Sequence, residues 1–150
     1  LELVPGYGRM QGIVHRPGDP RFEGRDAAAA IAAACAEPGC TMVNRNAGSG
    51  TRILVDRLLG GTQPPGYGVQ TKSHNAVAVA VAQQRADWGL AIDTVARSYG
   101  LGFIPVQDER YDFVVPQARL QRAPVQAFVA LLRSASARAA LQHLGFDPAD

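Results

Sequence analysis

The sequence lacks long hydrophobic runs, has little excess charge of either sign and carries only two cysteines. Its longest nearly pure apolar stretch, Ala27 to Ala36, is mostly alanine and falls far short of the ~20 residues that a membrane-spanning helix needs. A net charge of +2 over 150 residues is too small to argue for nucleic acid or an anionic membrane as partner. Cys35 and Cys40 bracket a Glu-Pro-Gly turn, a spacing open to a disulfide or to two buried reduced thiols. With no histidine beside them they make no zinc site, and no other metal or cofactor is expected.

The motifs of catalysis are missing as well. His15, His74 and His143 are scattered, and Gly48-Ser49-Gly50 lacks the spacing of a Gly-x-Ser-x-Gly nucleophile elbow. No Gly-Lys-Ser/Thr follows the glycines as in a phosphate-binding P-loop, and the three glycines of the dinucleotide fingerprint are absent. Asp87 and Asp93 flank an expected strand, where carboxylates cap and terminate more often than they pair as acids. A phosphoryl- or sulfuryl-transfer enzyme would also need a metal-binding carboxylate cluster, which the sequence does not offer. The residues therefore read as those of a binding protein rather than an enzyme. No signal peptide is visible and the chain begins at Leu1, which suggests a processed protein or a piece of a longer one. Cytoplasmic placement is expected, or periplasmic if a leader was removed.

What is present is an ordinary globular composition, 47% apolar and 19% charged, at a length suited to one domain with a real core. Leu1 to Arg9 reads as a strand end or linker entering a turn, and Met10 to His15 as a strand stopped by Arg16-Pro17-Gly18-Asp19-Pro20. Alanine propensity predicts a helix over 24–37, ended by Pro38-Gly39. Thr41 to Val43 reads as a strand and about 50–60 as a helix, with a loop over 62–68 and a short strand near 67–70. The Ala/Val alternation of 73–85 fits a strand or a buried helix; its length, the cap residues Ser73 and Asn75 and the Gln-Gln-Arg ending favour the helix. A strand over 87–92, a helix over 93–99 and strands over 102–106 and 110–115 follow, the last two separated by the acidic turn Gln107-Asp108-Glu109. Helices opened by Pro124 and by Ser136 close the chain, with Gly145 as a stop. Strands alternating with helices indicate an α/β fold, mixed but mainly parallel in its sheets.

The informative stretch is Asn44-Arg45-Asn46-Ala47-Gly48-Ser49-Gly50-Thr51-Arg52, between a strand and a helix. A Gly/Ser/Thr turn at a helix start gathers free backbone N–H groups, with the positive end of the helix dipole behind them. Ser49 is the expected N-cap, Thr51 offers a hydroxyl and Arg45 a forked cation. Ser73, His74 and Asn75 form a second helix start of the same kind. Both clusters also fit plain helix capping.

These strings, with Arg-Ala-Asp-Trp-Gly-Leu-Ala-Ile (85–92) and Gly-Leu-Gly-Phe-Ile-Pro-Val-Gln-Asp-Glu-Arg-Tyr-Asp (100–112), resemble one family in the same order from about Gly6 to Gly145. It is the periplasmic-binding-protein-like domain of the molybdate/tungstate-binding type, which also occurs fused to helix-turn-helix regulators and molybdopterin-biosynthesis proteins. The resemblance implies a type-2, two-lobed fold holding a tetrahedral oxyanion, molybdate or tungstate, in an interlobe cleft at helix N-termini. Arg45, Ser49, Gly50, Thr51, Ser73, His74 and Asn75 would contact it. About 10–100 would form the second lobe and about 101–150 return to the first, whose N-terminal segment is absent here. An upstream helix-turn-helix or other domain is the implied partner, or a second copy that restores the missing lobe by strand pairing. The alternative is the ligand-sensing regulatory domain of a transcription factor for another small anion.

Overall fold

The computed structural model describes residues 1–150. The chain runs β1 (Glu2–His15), α1 (Ala27–Ala36), β2 (Asn44–Arg45), α2 (Gly50–Leu59), β3 (Gln70–Thr71), α3 (His74–Ala82), β4 (Trp88–Ile92), α4 (Asp93–Ser98), β5 (Gly102–Val115), α5 (Ala123–Arg133), α6 (Ala135–His143) and β6 (Asp147–Pro148). Strand order in the larger sheet is β4-β1-β5, with β6 also paired to β1. It divides into two compact units, residues 10–107 and residues 1–9 with 108–150. No helix is long and apolar enough to cross a membrane.

In residues 10–107 the period-2 alternation of side chains builds two cores. Ile13 pairs with Leu90, Val14 with Gly89 and His15 with Trp88 in an antiparallel ladder. Ile13, Leu90, Trp88, Met42 and Ile104 pack against Ala30 and Ala34 of α1 and Leu54, Val55 and Leu59 of α2. Their chain neighbours Val14, Val43 and Ala91 point the other way, against Val77 and Val81 of α3 and Ala96 of α4. Gly89 permits that second layer: a Cβ there would lie 2.7 Å from a Val77 methyl and 2.8 Å from the Val43 carbonyl oxygen.

The other unit is organised by rings. Tyr7 stacks on Tyr111 at 5.5 Å and packs on Phe146 at 4.8 Å, while Phe113 bridges Tyr111 and Phe128 edge-on. β6 pairs antiparallel with β1 through Tyr7–Pro148 and Gly8–Asp147.

Several expectations need correction. Leu1 to Arg9 does not enter a turn: from Glu2 onward it belongs to a 14-residue strand that ends at His15. Gly6 marks a close approach rather than a reversal, since a Cβ there would fall onto the Tyr111 carbonyl oxygen. Gln107-Asp108-Glu109 is no turn either; β5 runs unbroken for 14 residues. Within it Glu109 pairs with Arg9, whose guanidinium lies over the Tyr111 ring. The sheets are mixed: β4 and β6 run antiparallel to β1, while β2 pairs with β3 in parallel, as Met42 does with Trp88. Helix α1 starts at Ala27 rather than 24, because Asp26 caps it by accepting from the Ala29 N–H. Cys35 and Cys40 are free thiols, and burial pushes the Cys40 thiol up to about 11.

Candidate functional site

Two strand–helix starts lie side by side. β2 and β3 pair in parallel, Asn44 opposite Gln70 and Arg45 opposite Thr71. Each is followed within a few residues by a helix, α2 after β2 and α3 after β3. Both helix N-termini therefore open at the same, carboxyl end of a parallel pair, where the dipoles of the two helices add.

The pair is tied together through backbone and side chains. Asn44 N–H donates to the Val69 carbonyl at 2.8 Å and Asn46 N–H to that of Thr71 at 2.9 Å. The Thr71 hydroxyl donates to the Asn44 carbonyl at 3.2 Å. Asn44 is fully buried and spends its amide on the scaffold: its Nδ2 donates to the Tyr67 carbonyl, and its Oδ1 accepts from the Arg45 N–H.

The seven residues singled out in the sequence fall into four groups. Arg45 and His74 come together, Nη1 of the guanidinium 3.2 Å from Nδ1 of the ring. A guanidinium only donates, so in this contact His74 Nδ1 is the acceptor. This contact joins the end of β2 to the first residue of α3.

Ser49 and Ser73 act as N-caps. Ser49 Oγ accepts from the Arg52 N–H at 3.1 Å and donates to the Asn46 carbonyl at 3.0 Å; Ser73 Oγ accepts from the Ala76 N–H at 3.0 Å. By helix geometry the N–H groups of Gly50, Thr51, His74 and Asn75 have no acceptor within their helices. Gly50 and Asn75 are exposed.

Thr51 differs from the expectation. It is only 2% exposed, so its hydroxyl faces the core rather than solvent. Thr51 lies three and four residues before Leu54 and Val55, on the stripe that packs α2 against the sheet.

The second arginine of the motif is used up within the scaffold. Arg52 donates to the Arg45 carbonyl at 3.0 Å, to the Tyr67 hydroxyl at 3.0 Å and to Asp56 at 3.2 Å, and lies over the Tyr67 ring. The Tyr67 hydroxyl and the Arg52 guanidinium together hold the Asp56 carboxyl below its usual range. Tyr67 is a part of this site that the sequence did not single out, and Asn44 and Asn46 lie in the informative stretch but were given no role there. An aromatic in a Gly/Pro loop was the one available signal for Tyr67. Asn46 keeps its amide oxygen buried without a hydrogen-bond partner.

The other candidates are structural. Asp87 accepts from the Thr41 N–H at 2.9 Å and from Arg16 at 2.6 Å, with Arg21 at 3.2 Å. Burial opposes its charge, yet these donors hold its carboxyl below the usual range. Asp93 accepts from the Thr94 N–H and pairs with Arg97 along α4, so the two aspartates do not form an acid pair. His15 is buried and stacked on Phe22. No group of three or more His, Cys, Asp or Glu is placed to hold a metal ion.

The sequence profile of the PBP superfamily domain matches residues 1–133. The chain belongs to that family. It is a PBP-like ligand-binding domain with the α/β, type-2 periplasmic-binding-protein-like fold. Among curated proteins it is 37% identical over 108 residues to the uncharacterized protein YvgK of Bacillus subtilis (strain 168), a match covering 69% of this chain and 34% of YvgK. Among solved structures it is similar to the tungstate ABC transporter of Geobacter sulfurreducens, with a TM-score of 0.64 at 15% identity over 95% of this chain and 68% of that one. It is equally similar to the ancestral amino acid-binding protein AncCDT-1, a precursor of cyclohexadienyl dehydratase, at 0.64 and 12% identity over 93% of this chain and 58% of that one. At such identities the two structures speak for the fold alone. The chain spans about a third of the curated relative's length.

Proposed function

We propose that this chain binds a tetrahedral oxyanion, molybdate or tungstate, without turnover, at the adjoining starts of α2 and α3. The observation that carries the reading is the Arg45–His74 contact, which sets a permanent cation between two capped helix N-termini that open on one edge. First-turn N–H groups, a guanidinium and an imidazole N–H form a donor set suited to an unprotonated dianion. Arg45, His74, Gly50 and Asn75 would make the contacts, Thr51 would contribute its N–H, and Ser49 and Ser73 would hold the two turns in shape. Tungstate recognition by a protein of the same fold supports the choice of ligand.

A second reading keeps the site and changes the ligand to another small anion, sensed by a regulatory domain. The fold's use by an amino acid-binding protein favours it, since a carboxylate suits the same donors. A helix-turn-helix partner domain would go with regulation, and an export signal with transport.

Thermal unfolding with molybdate, tungstate, sulfate and phosphate at matched ionic strength separates these readings. A ligand bound only by the folded state stabilises it by ~2.7 kcal/mol at a hundredfold excess over its dissociation constant. Molybdate and tungstate are expected to raise the midpoint well above sulfate and phosphate. No shift with any of the four would reject the oxyanion reading.

A further inference from the structure

Helix α3 carries a second feature that the oxyanion site does not use. Its sequence, His-Asn-Ala-Val-Ala-Val-Ala-Val-Ala, places only small side chains on the face beyond the core. They leave a cavity of about 650 Å³ between α3 and the β2–β3 edge, walled by Val43, Val69, Ala76, Val79 and Ala80. That size suits a small organic ligand. None of the seven oxyanion-site residues lines it.

The polar groups around the cavity are few. Thr41 and Thr71 line it, but each hydroxyl already donates inside the protein, to Asp87 and to the Asn44 carbonyl. Arg85 is the one charged residue in the wall, and it is exposed and makes no ion pair or side-chain hydrogen bond. The chain reaches Arg85 through Gln84, the only non-glycine residue with a positive φ, 62°. Arg85 and Ala86 N–H groups both then donate to the Ala80 carbonyl, which fixes the arginine at the end of α3 beside the cavity. A left-handed backbone at a side chain other than glycine is strained and persists where the surroundings impose it.

We propose that this cavity is a second binding site, for a small monocarboxylate with an apolar tail. The carboxylate would pair with the Arg85 guanidinium, a match in charge and in forked geometry. The tail would lie along Val79 and Ala80 against Val43 and Val69. A cationic amphiphile would meet only Arg85 and be repelled, and a purely polar anion would gain nothing from the wall.

Hexanoate, hexan-1-ol and hexylamine are suitable probes, followed by backbone amide shifts of the whole chain in solution. Hexanoate should shift the amides of Val43, Val69, Val79, Ala80 and Arg85 saturably, and bind ~5-fold more tightly than hexan-1-ol, with hexylamine weakest. Arg85→Gln should reduce hexanoate to the affinity of hexan-1-ol and leave hexan-1-ol unchanged. Ala80→Leu, which fills the space, should abolish binding of both while the unfolding midpoint stays within a few degrees. Hexylamine binding as well as hexanoate, no saturable shift, or undiminished hexanoate binding in Arg85→Gln would each overturn the proposal. Shifts centred on Arg45 and His74 instead would also overturn it, and would place the carboxylate at the oxyanion turn. Thermal unfolding of wild type with molybdate is independent of these outcomes, so the two sites fail or stand separately.

Discussion

The unit formed by residues 10–107 buries side chains on both faces of its strands, whereas that formed by 1–9 and 108–150 does so sparsely. In the first, two apolar clusters sandwich the sheet and Trp88, Phe22 and Ile13 are fully buried. In the second, α5 and α6 bury no residue at all, and Leu131 is 59% exposed. What holds that unit is a run of touching rings from Phe146 through Tyr7, Tyr111 and Phe113 to Phe128, beside the Arg9–Glu109 pair. Apolar stabilisation follows the area removed from water, so the two units should respond very differently to truncation. The difference also says where a site can be preorganised. Arg45 and both helix starts belong to the double-cored unit, and are braced by Asn44, Thr71 and Arg52. A donor set held in place before its anion arrives binds with little ordering cost.

Three substitutions sharpen that contrast. The largest effect is expected for Trp88→Ala, at the centre of the first core, at about 3–5 kcal/mol in urea unfolding. A loss below about 1 kcal/mol would remove the claim of a tightly packed core.

Asp87→Asn comes next. It withdraws the carboxylate from Arg16, Arg21 and the Thr41 N–H, and should cost about 1–3 kcal/mol at pH 7. The folded carboxyl is held below its ordinary value, so its contribution is complete above about pH 4 and is lost as pH falls through the folded value. Wild type and variant should therefore converge in stability on acidification toward pH 2. An undiminished gap there would show that the effect is packing and not charge.

Phe128→Ala should cost least, about 1 kcal/mol, because that ring is 37% exposed and touches its unit mainly through Phe113. A loss as large as that of Trp88→Ala would erase the contrast between the two units.

How much of this was legible in the sequence depends on how local the cause is. Helices α2 and α3 could be read, since Ser49, Gly60 and Ser73 are caps whose effect stays within one turn. Thr51 could have been read better, because it sits on the same helical stripe as Leu54 and Val55. The long strands β1 and β5 could not: Pro5-Gly6 and Gln107-Asp108-Glu109 look like turns until the neighbouring strand is known. Strand β6 is two residues long and contains a proline, so only its pairing with Tyr7 and Gly8 reveals it. Nor could the sequence divide the work of the two arginines. Arg52 is committed to the scaffold by Tyr67, 15 residues away, and Arg45 meets His74, 29 residues away.

The proposed oxyanion site rests on Arg45 and the two helix starts. Titration calorimetry of tungstate into the wild-type chain and into Arg45→Ala tests it most directly, with circular dichroism to show that both are folded. Saturable binding to wild type, weakened at least ~10-fold in the variant, is the predicted result, as expected for loss of a charge-assisted contact. Equal affinity in the two proteins would contradict the claim.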